Sequence, residues 1–195
     1  MRHLTLGALL LLALPAAASE VTLSPSSRLW LEGDSTLHPY SSTATAFTAD
    51  FSFEAAGPLA AAVAAKSPAK LTVRVPVASL KSAHDGLDKN LRKTLKASEH
   101  PDIVFTMKSY AVSGASVTAT GDLTVAGKSR EVVLEARYEA RDGKLFVEGA
   151  EPVLMTAHGI KPPTMFMGAV KTADLVTVQY RLVLEPAASD SKETK

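Results

Sequence analysis

The chain has 195 residues, no cysteine, and nearly balanced charge, with 21 Lys and Arg against 20 Asp and Glu. Lack of cysteine excludes disulfides, thiol catalysis and thiolate metal sites. Lack of a basic excess argues against nucleic acid as a partner, and the length suits one domain with a sizeable core.

The N-terminus reads as a secretory signal over residues 1–18. Arg2 and His3 precede an apolar run from Leu4 to Leu14, Pro15 breaks it, and Ala16-Ala17-Ala18 supplies the small residues of a cleavage site. The run is about half of the roughly 20 residues that a spanning helix needs. The expectation is a periplasmic or secreted domain over 19–185, followed by a disordered tail, "PAASDSKETK" (186–195), with nothing to bury.

Period-two alternation dominates the chain beyond residue 18. "EGDSTLHPYSSTATAF" (32–47) is expected to be the first barrel strand, with His38-Pro39 marking a bend or strand edge. "FTADFSF" places Phe47, Ala49, Phe51 and Phe53 on one face, and "LTVRVPV" does the same with Leu71, Val73, Val75 and Val77. The Ala-rich stretch 55–70 between them reads as a long, partly helical hairpin connection. In "HDGLDKNLRKTLKASEHP", Leu87, Leu91 and Leu95 form one stripe of a three-turn amphipathic helix. Asp85 is its expected N-cap, Asp88 its expected ion-pair partner for Arg92, and Pro101 its stop. Alternation resumes in "IVFTMKS", "SVTATGDLTV", "REVVLEARYEA", "KLFVEGA" and "DLVTVQYRLVL", with turn residues at Gly114, 126–128 and 142–144. Seven or eight strands with short links make a sandwich or a closed barrel.

Candidate chemistry is sparse. His38 could act as a base, but Ser35 at i−3 points to the opposite strand face, and Asp34 lies roughly 13 Å away along an extended chain. No nucleophile-elbow or zinc-helix motif is present. His38, His84, His100 and His158 stand singly, so neither a metal nor a cofactor is expected. "MTAHGIKPPTMFMG" is unusual: Met155, Met165, Phe166 and Met167 make a greasy turn, either an adaptable binding rim or a plug over one barrel end. Transient membrane contact through 158–168 is open on this reading, with Lys161 beside it to meet an anionic head group.

The order of segments carries a resemblance. "GDSTLHPYSSTATAF", "VPVASLKS", "LDKNLRKTLKASEHPDIVFTMKS", "GDLTVAGKSREVVLEA" and "VTVQYRLVL" follow one another as in the YceI-like family, which this chain resembles from about Leu29 to Leu184. The resemblance implies an all-β fold, a lipocalin-like antiparallel barrel of about eight strands with one amphipathic α-helix packed against it. It also implies an apolar channel holding a polyisoprenoid or similar amphiphilic lipid. The family is not defined by catalytic residues, so none is carried over. The long Ala-rich connection and "HGIKPPTMFMG" depart from many members and bear on ligand identity.

On that reading the channel is lined by one face of successive strands: Phe51, Phe53, Val73, Val75, Ile103, Phe105, Leu134, Tyr138, Val178 and Tyr180. Met155, Met165, Phe166 and Met167 sit at its mouth. Two other readings stay open: a hydrolase or isomerase using His38 with a carboxylate, and a structural module whose barrel is filled by its own side chains. Oligomeric state is not legible.

Overall fold

The computed structural model describes residues 19–55, 57–67 and 69–187, with the side chains of Ser19, Met165 and Phe166 left out. The expected signal segment and residues 188–195 of the expected tail lie outside the described residues. Within the described residues, twelve strands form one antiparallel sheet: β1 (Ser19–Leu23), β2 (Arg28–Ser35), β3 (Tyr40–Ala44), β4 (Thr48–Phe53), β5 (Ala69–Pro76), β6 (Leu80–Lys81), β7 (Asp102–Ser113), β8 (Ser116–Val125), β9 (Lys128–Arg141), β10 (Lys144–Leu154), β11 (Thr164–Met165) and β12 (Val170–Pro186). Eight of them, in the order β1-β4-β5-β7-β8-β9-β10-β12, close into a barrel when β12 pairs back onto β1. β12 is long enough to serve two neighbours on one edge. Residues 172–181 pair with β2, and Leu184–Pro186 pair with β1.

The strand count exceeds the seven or eight read from alternation because three early strands bend. β1 and β2 are separated by a Pro25 turn, closed by the Ser27 amide donating to the Ser24 carbonyl at 3.0 Å. β3 and β4 are separated by residues 45–47, and β5 and β6 by a short 3-10 turn, Val77–Ser79. The branch β2-β3-β6 therefore continues the barrel wall at one end. The last strand also runs further than expected: β12 ends at Pro186, and the Ala187 amide donates to the Glu20 carbonyl at 2.9 Å, two residues past the expected domain end.

Two α-helices among the described residues meet the barrel: the expected amphipathic one, and a short one in the Ala-rich connection, where partial helix is expected. α1 (Leu59–Ala64) lies in the Ala-rich connection, and Leu59, Ala62 and Val63, at i, i+3 and i+4, are buried. α2 (Asp85–Thr94) carries the leucine stripe. Its ends correct the sequence reading. His84, not Asp85, occupies the N-cap position, and no side chain caps it. Asp88 does not pair with Arg92. It is buried, and it accepts hydrogen bonds of 2.7 Å from both the backbone amide and the hydroxyl of Ser82, with the Lys81 ammonium at 3.5 Å. A buried carboxylate saturated by local donors is held better than one reaching an exposed arginine. The helix stops at Leu95, where Lys96 takes a left-handed conformation (φ 52°), well before Pro101.

Packing falls into two clusters. One gathers Leu31, Val75, Val77, Leu80, Leu95 and Ile160 beneath α2. The other gathers Val21, Phe53, Leu59, Val63, Leu145 and Leu184 around α1. Fully burying a side chain of this size contributes about 1.5–3 kcal/mol, so the clusters fix the two ends of the barrel. Between them the interior is open.

Candidate functional site: an apolar cavity

The cavity between the two clusters has a volume of about 610 Å³, within the range of small-molecule sites. Its wall follows from strand alternation. β4 turns Phe51 and Phe53 inward, β5 Leu71, Val73 and Val75, and β7 Ile103, Phe105 and Met107. A bulge between Met107 and Ser109 then changes the parity of β7, and Tyr110 faces inward where strict alternation would have sent it out. β8 contributes Val117 and Ala119, β9 Leu134, Ala136 and Tyr138, and β12 Val178, Tyr180 and Leu182. Along β10, the inward residues from Leu145 to Val153 span roughly 26 Å of strand.

One end is stoppered. Leu59, Ala62 and Val63 of α1 sit on Phe53, Leu145 and Leu184, and the Tyr110 hydroxyl donates to the Ser67 carbonyl at 2.5 Å, tying the segment after α1 to β7. At the other end, Gly86, Leu87 and Leu91 of α2 and Leu95 at its C-cap lean over the cavity, while Ser35, Leu37, His38, His84 and Pro163 form its rim.

Three inward glycines set the width of the space. A Cβ on Gly33 would overlap the Tyr40 ring, one on Gly121 the Phe105 ring, and one on Gly149 the Tyr180 ring. Gly33 is paired with Tyr40 and Gly149 with Tyr180 across their ladders. Each ring lies over a neighbouring strand's backbone instead of projecting to the barrel axis. Aromatic mass is thereby held against the wall, and the middle stays empty.

The lining carries few polar groups. Glu151, on the inward face of β10, is the one acidic side chain on the wall, and no Lys or Arg lines it among the described residues. Burial, with the Glu135 carboxylate adding to it, raises the Glu151 carboxyl above its ordinary value. Burial and the Glu151 charge push the Tyr180 hydroxyl up to about 12. Burial, then the Asp34 charge, raises Tyr40 as well.

Of the residues named from sequence, Phe51, Phe53, Val73, Val75, Ile103 and Phe105 face the cavity on the β4–β7 side. Leu134, Tyr138, Val178 and Tyr180 face it from β9 and β12, and Met155 joins the cluster under α2. Met167 does not line it: its side chain is fully exposed, on a left-handed backbone (φ 50°). The side chains of Met165 and Phe166 lie outside the described part. The greasy segment divides, with His158 and Ile160 folded inward and Met167 outward. Sequence reasoning missed Glu151, Tyr110 and the glycine–aromatic pairs. Adjacent apolar parity in "EGAEPVLM" was the available signal for Glu151.

His38 is brought to the rim without catalytic company. Its Nδ1 lies 2.9 Å from its neighbour Pro39's carbonyl, while the Ser35 hydroxyl donates to the His38 carbonyl at 2.8 Å and accepts from the His38 amide at 3.2 Å. Asp34 accepts from the Ser35 amide at 2.8 Å rather than meeting the imidazole. The serine hydroxyl thus serves a backbone turn. Among the described residues, no three His, Asp or Glu side chains gather to hold a metal ion.

A closed antiparallel barrel around an apolar hollow places the molecule in the lipocalin-like class. The chain belongs to the YceI-like domain family, whose model matches residues 17–184. Protein YceI from Escherichia coli strain CFT073 is 34% identical over 91 residues, and the match covers 45% of this chain and 44% of that protein. The chain thus matches less than half the length of these curated relatives. Among solved structures, Burkholderia cenocepacia BcnA shares the fold with a TM-score of 0.67 at 20% identity, over 80% of this chain and 95% of that one. A polyisoprenoid binding domain from Saccharophagus degradans, implicated in plant cell wall breakdown, superposes with a TM-score of 0.65 at 10% identity, over 86% and 99% of the two chains. At such identities the likeness is one of fold.

Proposed function

We propose that this protein binds a polyisoprenoid or similarly long amphiphile in the barrel cavity, outside the cytoplasm, and carries or stores it without transforming it. The observation that carries this reading is the continuous apolar hollow of about 610 Å³ between two packed ends. The polyisoprenoid-binding character of the Saccharophagus degradans domain supports it. Burying a methylene is worth about 0.8 kcal/mol, so a dozen would contribute roughly 10 kcal/mol before ordering costs. A hollow of this kind favours a carrier over a self-packed module, and His38 without a nucleophile or carboxylate partner gives hydrolysis no support.

The N-terminal charge and apolar pattern of residues 1–18 support export, and the exposed Leu37 and Met167 support a brief membrane contact at the cavity rim. The test is native mass spectrometry and lipid extraction of protein recovered from its own host's periplasm. A prenyl lipid bound in one-to-one ratio is the expected result. Protein that carries no lipid, and whose melting temperature is unmoved by added prenyl alcohols, would sink the reading.

A further inference from the structure

We infer that Glu151 is the polar anchor of the cavity, accepting a hydrogen bond from a hydroxyl-bearing head group and excluding anionic ones. This deepens the carrier reading and rests on it. Three observations converge. First, Glu151 lies on the inward face of β10 between Gly149 and Val153, and its ladder partner is Val178, another wall residue. It therefore stands within the hollow, roughly 20 Å of strand from Leu145 in the stoppered cluster.

Second, its carboxylate has no hydrogen bond or ion pair among the described residues, although the acids Asp88 and Asp174 are both satisfied. The Tyr180 hydroxyl does not serve it. Tyr180 crosses Gly149 and donates to the Glu135 carbonyl of β9 through a long 3.4 Å bond. Third, the wall opens beside it. The β9–β10 ladder ends at Ala136–Gly149, so β10 beyond that point pairs with β12 alone. Glu135 adds negative potential there without entering the cavity wall.

A half-buried carboxylate on an otherwise apolar wall, with no partner among the described residues, is a hydrogen-bond acceptor open to a ligand donor. A ligand hydroxyl supplies the partner, and the tail fills the apolar space on either side. A phosphate or carboxylate head would meet like charge with no lysine or arginine on the wall to offset it. The raised carboxyl of Glu151 agrees with such an environment.

The experiment measures affinities of geranylgeraniol, its methyl ether and geranylgeranyl phosphate by displacement of N-phenyl-1-naphthylamine from the wild type, Glu151→Leu and Glu151→Gln. The wild type is expected to prefer the alcohol over the ether by about tenfold, equivalent to about 1.4 kcal/mol. It should disfavour the phosphate by at least as much. Glu151→Leu should erase the alcohol preference, while Glu151→Gln, which keeps an acceptor, should retain it and recover phosphate binding. Equal affinity of the wild type for alcohol and ether, or for alcohol and phosphate, overturns the anchor and leaves the carrier intact. Failure of all three to bind overturns both.

Discussion

The ring of Tyr180 lies across the backbone of Gly149 on the adjacent strand, so that any side chain at 149 would occupy the place of the ring. The pair is a device for keeping a large aromatic residue on the wall of a hollow. Gly149→Ala is expected to destabilise the fold by about 1–3 kcal/mol, the usual cost of overpacking. Removing the ring relieves its share of the clash and leaves the Glu135 carbonyl oxygen 2.8 Å from the new Cβ, so the Gly149→Ala/Tyr180→Leu double variant should recover part of that loss. Chemical denaturation of the two single variants and the double variant measures the coupling. Additive costs would mean that the ring does not depend on the glycine.

An empty interior and a filled one respond oppositely to added volume. Ala119 and Ala136 face the cavity from neighbouring strands. In a close-packed core, Ala→Phe costs about 1–3 kcal/mol or more. Here Ala119→Phe and Ala136→Phe should change stability by less than about 1 kcal/mol and each weaken prenyl alcohol binding by about tenfold or more. Melting temperature and dye displacement, measured on the same samples, separate the two effects. A large loss of stability with binding intact would contradict the hollow.

Alternation made most of this wall legible. Phe51, Val73, Phe105 and Val178 sit on a single parity in regular stretches of their strands, clear of the irregularities at 107–109 and 172–176, and the period of two is a local property of the chain. Tyr110 was hidden because the Met107/Ser109 bulge depends on how β7 meets β8, which one strand's sequence does not state. Glu151 was hidden for another reason. A charged residue at an inward position looks like an interruption of the apolar pattern until its neighbours Val147 and Val153 are seen facing the same space. α1 was half legible, since alanines favour a helix but burial of Leu59 and Val63 needs the barrel end beneath them. The Asp88–Arg92 expectation failed because Ser82, before the helix, competes for the carboxylate with two donors.

That competition makes Asp88 the clasp between β6 and α2. Its hydrogen bonds to Ser82, with the Lys81 charge contributing less, hold its carboxyl below the ordinary value. A lowered native pKa means that the ionised form is preferred in the fold. Its stabilising contribution is therefore full above the unfolded-state value, near 3.9, and is lost as pH falls through the native one. Asp88→Asn should melt below the wild type at pH 7, and the difference between them should shrink as pH drops below about 4. Thermal melts from pH 7 to pH 3 check the sign. A difference that grows on acidification would show that the carboxylate is not what secures the helix.

The rim offers a way to separate loading from holding. Thr36 ties the β2–β3 turn to the opposite segment: its amide donates to the Lys171 carbonyl at 3.0 Å, and its hydroxyl accepts from the Lys171 amide at 3.1 Å. This fixes Leu37, 67% exposed, beside the segment that carries the fully exposed Met167. Neither contributes to the packed clusters, so replacing both with aspartate should leave the melting temperature within about 0.5 kcal/mol equivalent of the wild type. If the two side chains dip into a bilayer, Leu37→Asp/Met167→Asp should slow uptake of a fluorescent prenyl alcohol from anionic vesicles by about tenfold, and Met167→Asp alone, whose side chain does not line the cavity, should slow it severalfold while equilibrium affinity for the same lipid in detergent stays unchanged. Stopped-flow transfer and detergent titration give the two numbers. An unaltered transfer rate would mean that lipid reaches the cavity without these residues touching the membrane.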